Sequence, residues 1–149
     1  MREVDKLLSH IQMNLKAPKS QYNSFGKYNY RNKEDILEGI KPILGDGSII
    51  VIDDVQLIGD RFYVKSTARL SVGDESIEAT GWAREPLNKK GMDESMTTGT
   101  AASYAGKRAL GNLLAIDDTK DNDFHHGQHP QTNVQQQQQY YSNDQYGGF

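Results

Sequence analysis

IIVIDDVQLIGDRFYVKSTARLSVGDESIEATGWAR, residues 49–84, decides the fold. Ile49 to Leu57 is a near-continuous apolar run, and Gly59-Asp60 after it reads as a turn. The pattern then takes period two. Phe62, Val64, Ala68, Leu70 and Val72 alternate with Tyr63, Lys65, Thr67, Arg69 and Ser71. A second turn, Gly73-Asp74, leads to Ile77, Ala79, Gly81 and Ala83, which alternate with Glu78, Thr80, Trp82 and Arg84. Successive side chains of a strand point to opposite faces. The spacing therefore predicts a three-stranded antiparallel meander with one apolar face. The other face carries Tyr63, Lys65, Arg69, Trp82 and Arg84.

Three strands with one apolar face need a cover. A helix from about Thr98 to Leu113 supplies it. Upstream, Val4, Leu7, Leu8, Ile11 and Leu15 recur at helical spacing, and Pro18 stops that helix. Asn32 is placed to cap a second helix with Glu34 and Asp35 in its first turn and Ile36, Leu37, Ile40 and Ile43/Leu44 on its buried stripe; Pro42 and Gly45 end it. The order is α-α-β-β-β-α, an α+β fold. After Asp123 the composition turns to Gln, Asn, Gly, Ser, Tyr and His, with five consecutive glutamines from Gln135 to Gln139. Such a segment buries too little surface to offset chain entropy. The expected division is a folded domain over residues 1–123 and a disordered tail over 124–149.

The chain has no cysteine, so thiolate metal sites, disulfides and cysteine nucleophiles are excluded. No stretch approaches the ~18 apolar residues of a membrane span, and acids occupy the N-terminus where a signal peptide needs an apolar run. A soluble, cytoplasmic chain is expected. The net charge is −3, but it is unevenly spread. Residues 1–44 hold eight Lys/Arg against five acids, 45–80 three against seven, 81–112 five against three, and 113–149 one against five. Two basic blocks alternate with two acidic ones, so local field outweighs total charge.

The helix around Lys107-Arg108 is rich in small residues, with three interior glycines, Gly99, Gly106 and Gly111. Each costs about 1 kcal/mol relative to alanine, so close packing on the sheet or on a neighbouring subunit is expected. Tyr104 lies one turn before Arg108 on the same face. A base on the tyrosine and a phosphate on the guanidinium make one reading; two cations offsetting the carbonyl end of a helix make the other. Arg84, Lys89 and Lys90 lie just upstream, and the helix N-terminus near Thr97-Thr98-Gly99 offers a phosphate seat. Tyr22, Phe25, Lys27, Tyr28, Tyr30, Arg31 and Lys33 interleave aromatics with cations, the composition of a single-strand stacking platform. Phe25, Tyr28 and Tyr30 serve equally well as loop anchors. Catalytic signals are weak. A P-loop fails, because Lys107 is followed by Arg108 and position 101 is alanine. The acid pairs Asp53-Asp54 and Asp117-Asp118 end a strand and a helix, which are common solvated positions. No metal site and no cofactor are expected.

The pieces Lys89-Lys90-Gly91-Met92, Met96-Thr97-Thr98-Gly99, Ala102-Ser103-Tyr104-Ala105, Lys107-Arg108-Ala109-Leu110 and Ile116-Asp117-Asp118-Thr119-Lys120-Asp121 resemble the signature of the Erf (essential recombination function) family, phage single-strand annealing proteins. Phe25-Gly26-Lys27-Tyr28-Asn29-Tyr30-Arg31 resembles that family's N-terminal block. Lys107-Arg108-Ala109-Leu110-Gly111-Asn112 is more weakly similar to ring-forming eukaryotic annealing proteins. The resemblance implies ATP-independent binding and annealing of single-stranded DNA in recombination of phage or prophage DNA, by a homo-oligomer (ring or filament) in the host bacterial cytoplasm, and not enzyme chemistry. The expected DNA-binding residues are Lys107, Arg108, Tyr104, Lys89, Lys90, Arg84, Lys27, Tyr28 and Arg31. A host or phage single-strand-binding protein is a further expected partner, and Tyr140-Tyr141 with the Gly-Gly-Phe end is expected to recruit a host replication protein. The acidic block with Asp53, Asp54 and Asp60 offers a counterpart to a neighbour's basic block. Two other readings stay open: a metal-dependent nuclease using Asp53 or Asp117, and a single-strand-binding adaptor working through its tail.

Overall fold

A computed structural model describes residues 1–87, 91 and 93–116. Lys89, Lys90, Asp117, Asp118 and the expected disordered tail, 124–149, lie outside the described residues. The elements are α1 (Glu3–Asn14), β1 (Gln21–Asn23), β2 (Tyr28–Tyr30), α2 (Lys33–Ile40) with a 3-10 turn (Lys41–Ile43), β3 (Ser48–Ile58), β4 (Arg61–Val72), β5 (Glu75–Arg84) and α3 (Glu94–Leu114). The α+β class, the meander and its helical cover are as the spacing predicts. The β1–β2 hairpin was not expected. Its strands are three residues each, too short to show a period, and the polar–aromatic mixture hides them.

The meander runs in the order β3-β4-β5, all antiparallel. Both connections are two-residue turns, Gly59-Asp60 and Gly73-Asp74, in which only the glycine has positive φ (65° and 58°). That is the type II′ pattern, whose first central position demands glycine, and its twist matches the strands it joins. Register places Val64, Ser66, Ala68 and Leu70 on one face with Ile77, Ala79, Gly81 and Ala83 of β5 and Ile49, Val51, Asp53 and Val55 of β3. This inner face meets the helices. Val4 and Ile11 of α1, Ile36 and Ile40 of α2, and Ala109, Leu110, Leu113 and Leu114 of α3 close on Ala68 and Leu70. All sheet residues in the core clusters belong to it.

α3 approaches the sheet most closely over Gly81. A Cβ there would lie 2.6 Å from the Ala105 carbonyl oxygen and 2.7 Å from the Arg108 Cβ. Small residues on both sides, with Ala101, Ala105 and Ala109 buried on the helix, permit this contact. Close packing thus explains the alanines and Gly81. Among the described residues Gly99 and Gly111 have no neighbour that requires them.

The cover is uneven. α3 lies mainly over β4 and β5. Among the described residues nothing covers the inner face toward the β3–β4 turn, where Val55, Leu57 and Phe62 are exposed. Among the described residues no helix is long and apolar enough to cross a membrane.

Candidate nucleic-acid interface

The capping box at Asn32 sets the geometry of the site. The Asn32 side chain accepts from the Asp35 amide at 2.8 Å, and the Asp35 carboxylate accepts from the Asn32 amide at 2.9 Å. Two of the helix's orphan donors are satisfied reciprocally, which fixes where α2 begins and hence where Lys33 projects. The Lys33 stem runs across α3 at Gly106, where a Cβ would stand 2.6 Å from the Lys33 Cδ. One position further along α3, the Lys107 ammonium lies 5.6 Å from the Tyr30 ring centroid, within cation–π range. Tyr30, Lys33 and Lys107 thus come from segments some seventy residues apart in sequence and meet on one surface.

The hairpin carries the remaining members of the aromatic–cation string. Asn23 closes its turn, accepting from the Phe25 and Gly26 amides at 2.9 and 3.0 Å. Lys27 sits at the turn with φ 55° and is exposed. Tyr28 is 7% exposed, and its hydroxyl accepts from the Asn23 amide group at 3.1 Å. Its ring lies 6.0 Å from that of Tyr30, tilted by 58°. Tyr28 therefore anchors the hairpin and supports Tyr30, which is half-buried and so closer to the surface. Arg31 is half-buried just before the cap.

Arg108 projects elsewhere. Its guanidinium donates to the Trp82 carbonyl at 3.4 Å, and Asn112 donates to the Thr80 carbonyl at 2.8 Å, both on the β5 edge. Tyr104 packs on this side, against the cluster of Val64, Ala83, Ala101 and Ala105. Arg84 pairs with Tyr63 across the strands and points to the outer face, where Lys65 lies 5.7 Å from the Trp82 ring centroid. The expected constellation therefore divides. Lys27, Arg31 and Lys107 lie on the hairpin side of α3, and Tyr104 and Arg108 lie toward β5. The sheet separates Arg84 from Lys107.

The helix N-terminus does not lie where the sequence suggested. α3 begins at Glu94, and the Asp93 side chain accepts from the Met96 amide at 2.8 Å. The Thr97 amide bonds the Asp93 carbonyl at 3.0 Å, so the region Thr97-Thr98-Gly99 is helix interior and not a phosphate seat. Asp93 and Glu94 already supply the negative charge that this end attracts.

The acid pair on β3 does not converge. Asp53 is on the inner face, where it accepts from the buried Ser66 hydroxyl; Asp54 is on the outer face, where it accepts from Gln56 at 3.1 Å. Neighbouring strand residues on opposite faces cannot share a cation. Among the described residues, no group of three or more His, Asp or Glu side chains is placed to hold a metal ion.

Sequence reading missed Lys33 as a partner of Lys107. The available signal was the glycine preceding Lys107 together with the Asn32/Asp35 capping pair, which orients Lys33.

The model of the ERF superfamily matches residues 4–147. The Essential recombination function protein of Salmonella phage P22 is 54% identical over 116 residues, which cover 78% of this chain and 57% of that protein. The chain thus spans little more than half the length of that relative. No solved structure matches. With the family match extending over nearly the whole chain, the chain belongs to the ERF superfamily.

Proposed function

We propose that this chain is an ATP-independent single-stranded-DNA-binding and annealing protein, acting as a homo-oligomer in recombination of phage DNA within the host cytoplasm. The observation that carries the reading is the convergence of Tyr30, Lys33 and Lys107 on one surface. An aromatic face beside the Lys107 ammonium, with the Lys33 stem crossing the adjacent position of α3, suits a single strand. Phosphates take the cations and a base takes the ring, so base edges stay available to a complementary strand. Pairing itself is downhill by about 1.4 kcal/mol per step, so the protein needs only to reduce repulsion and hold the strand extended. Lys27 and Arg31 would continue the track along the hairpin. Arg108 and Tyr104 would be engaged by a strand that crosses α3, while Arg84, Lys89 and Lys90 are further candidates. The name of the phage P22 relative supports a recombination role.

The test is strand pairing of complementary oligonucleotides without nucleotide or metal ion, read beside the mass of the particle by light scattering. Pairing above the spontaneous rate is expected, and it should fall to that rate in Lys33→Ala/Lys107→Ala. Strand cleavage in Mg²⁺ that disappears with Asp53→Asn would instead identify a nuclease.

A further inference from the structure

We propose that the β3 edge receives the β1–β2 hairpin of a second copy of this chain, so that subunits join head to tail. The inference rests on the homo-oligomer of the preceding reading and names the surface that builds it.

Among the described residues β3 is the longest edge that no other element covers. It pairs with β4 over eleven consecutive positions, Ser48 to Ile58, without a bulge. It contains no proline, lysine or arginine, the devices that normally blunt an edge. Large apolar side chains are exposed on both of its faces and beside it: Ile52 is 41% exposed, Leu57 61% and Phe62 51%. A row of unpaired backbone groups flanked by apolar side chains is a template for another strand.

Three features choose the strand. First, β3 is disfavoured as a partner for itself. Antiparallel pairing that keeps the full strand in contact centres on Asp53, which would oppose its own copy, with the two Asp54 side chains diagonal to each other on the other face, and like charges directly opposite are destabilising. Second, the β5 edge is occupied from within, because Asn112 and Arg108 reach over it to the Thr80 and Trp82 carbonyls. Third, the hairpin has the complementary charge. Residues 19–32 contain Lys19, Lys27 and Arg31 and no acid; residues 46–60 contain Asp46, Asp53, Asp54 and Asp60 and no Lys or Arg. The hairpin pairs only with itself in the described residues, and a lone two-stranded ribbon is marginal in water. β2 is the strand turned toward α3 through Tyr30 and Lys107, which leaves β1, with Tyr22 59% exposed, as the outward strand. Residues 117–149 are an unfavourable occupant of β3, because they carry five acids against one lysine.

Joining two different surfaces gives a heterologous contact that closes into a ring or continues as a filament. The chain has no cysteine, so introduced thiols report cleanly. Tyr22→Cys and Asp54→Cys are combined in the full chain and treated with a short bis-maleimide. A ladder of covalent multimers is expected from the double variant and none from either single variant. A cross-linked dimer from Asp54→Cys alone would mean that β3 meets β3 and would overturn the proposal. So would a multimer by light scattering that yields no ladder, or a wild-type chain that is monomeric. As an independent arm, Ile52→Lys with Leu57→Lys alters exposed side chains only and should reduce the particle to the 16.7 kDa chain with its circular-dichroism spectrum unchanged. Wild-type mass in that variant also overturns the proposal. A ladder in a protein that does not pair strands would sink the annealing reading and leave the interface standing. Strand pairing by a particle that gives no ladder would do the reverse.

Discussion

Removing Lys33 and Lys107 together probes the candidate interface through its salt dependence. Each phosphate neutralised on a single strand contributes about −0.7 to the slope of log affinity against log salt. The Lys107 ammonium lies over the Tyr30 ring and the Lys33 stem crosses the same helix at Gly106, so the double alanine variant should lose about two contacts per subunit and about 1.4 from that slope. Between roughly 50 and 200 mM salt this corresponds to a narrowing of the wild-type advantage by about sevenfold. The assay is fluorescence anisotropy of a labelled oligothymidine, which has no internal structure to melt, across that salt range. Both side chains are half-exposed, so the variant should fold, and its circular-dichroism melt provides the control. Parallel salt slopes for wild type and variant would refute the assignment, even if the variant bound more weakly at every concentration. A uniform offset would mean that lost packing, not lost phosphate contact, explains the defect. Arg108→Ala measured in the same series reports the path of the strand: a further change of about 0.7 places the strand across α3, and no change confines it to the hairpin side.

Asn32→Ala removes the capping box and should cost about 1 kcal/mol in urea unfolding, with a loss of single-strand affinity because the first turn that positions Lys33 frays; unchanged affinity would detach Lys33 from the site. Gly81→Ala drives a methyl into the backbone of α3 and should destabilise by about 1–3 kcal/mol, read as a lower urea midpoint at constant m-value. Gly99→Ala and Gly111→Ala meet nothing within 4 Å and should each stabilise by about 0.5–1 kcal/mol; if either also reduces particle mass, that glycine faces another subunit.

The meander was legible because its signals are redundant. Period-two alternation, two Gly-Asp turns and a one-sided apolar pattern all demand the same register. α2 was legible at its start, because Asn32 and Asp35 form a cap from local sequence alone. The hairpin was not, since three-residue strands carry no measurable period and Tyr28 anchors by burial that only tertiary packing reveals. The start of α3 was misplaced for a different reason. Glycine and threonines at 97–99 read as a boundary, yet Asp93 is the stronger cap, and the two threonine hydroxyls bond back to carbonyls four residues earlier in the first turns. The site was half legible. Its residue types stood out, but adjacency in sequence suggested that Lys107 and Arg108 act together, whereas the helix turns them toward different neighbours. Lys33 became visible only when α2 and α3 were packed, through the missing side chain at Gly106.

The site and the free edge bear on each other through number. Two lysines and one aromatic ring make a weak grip, and a single copy would release a strand readily at moderate salt. Repetition changes this without any new contact, because a strand held by one subunit meets the next at high effective concentration. Head-to-tail joining through the hairpin would also fix the spacing of the clusters, since Tyr30 lies on the hairpin that docks and Lys107 on the helix behind it. The charge pattern fits that arrangement. Acids collect on β3, where a neighbour's hairpin would cover them, and cations remain on the side a strand would follow. An overall charge of −3 is then compatible with binding a polyanion, because assembly would pair much of the negative charge with the hairpin while Lys33 and Lys107 stay with the strand. Separating the two functions should therefore be possible: an edge variant that stays monomeric should keep the per-subunit salt slope and lose affinity, whereas the double lysine variant should keep its mass and lose the slope.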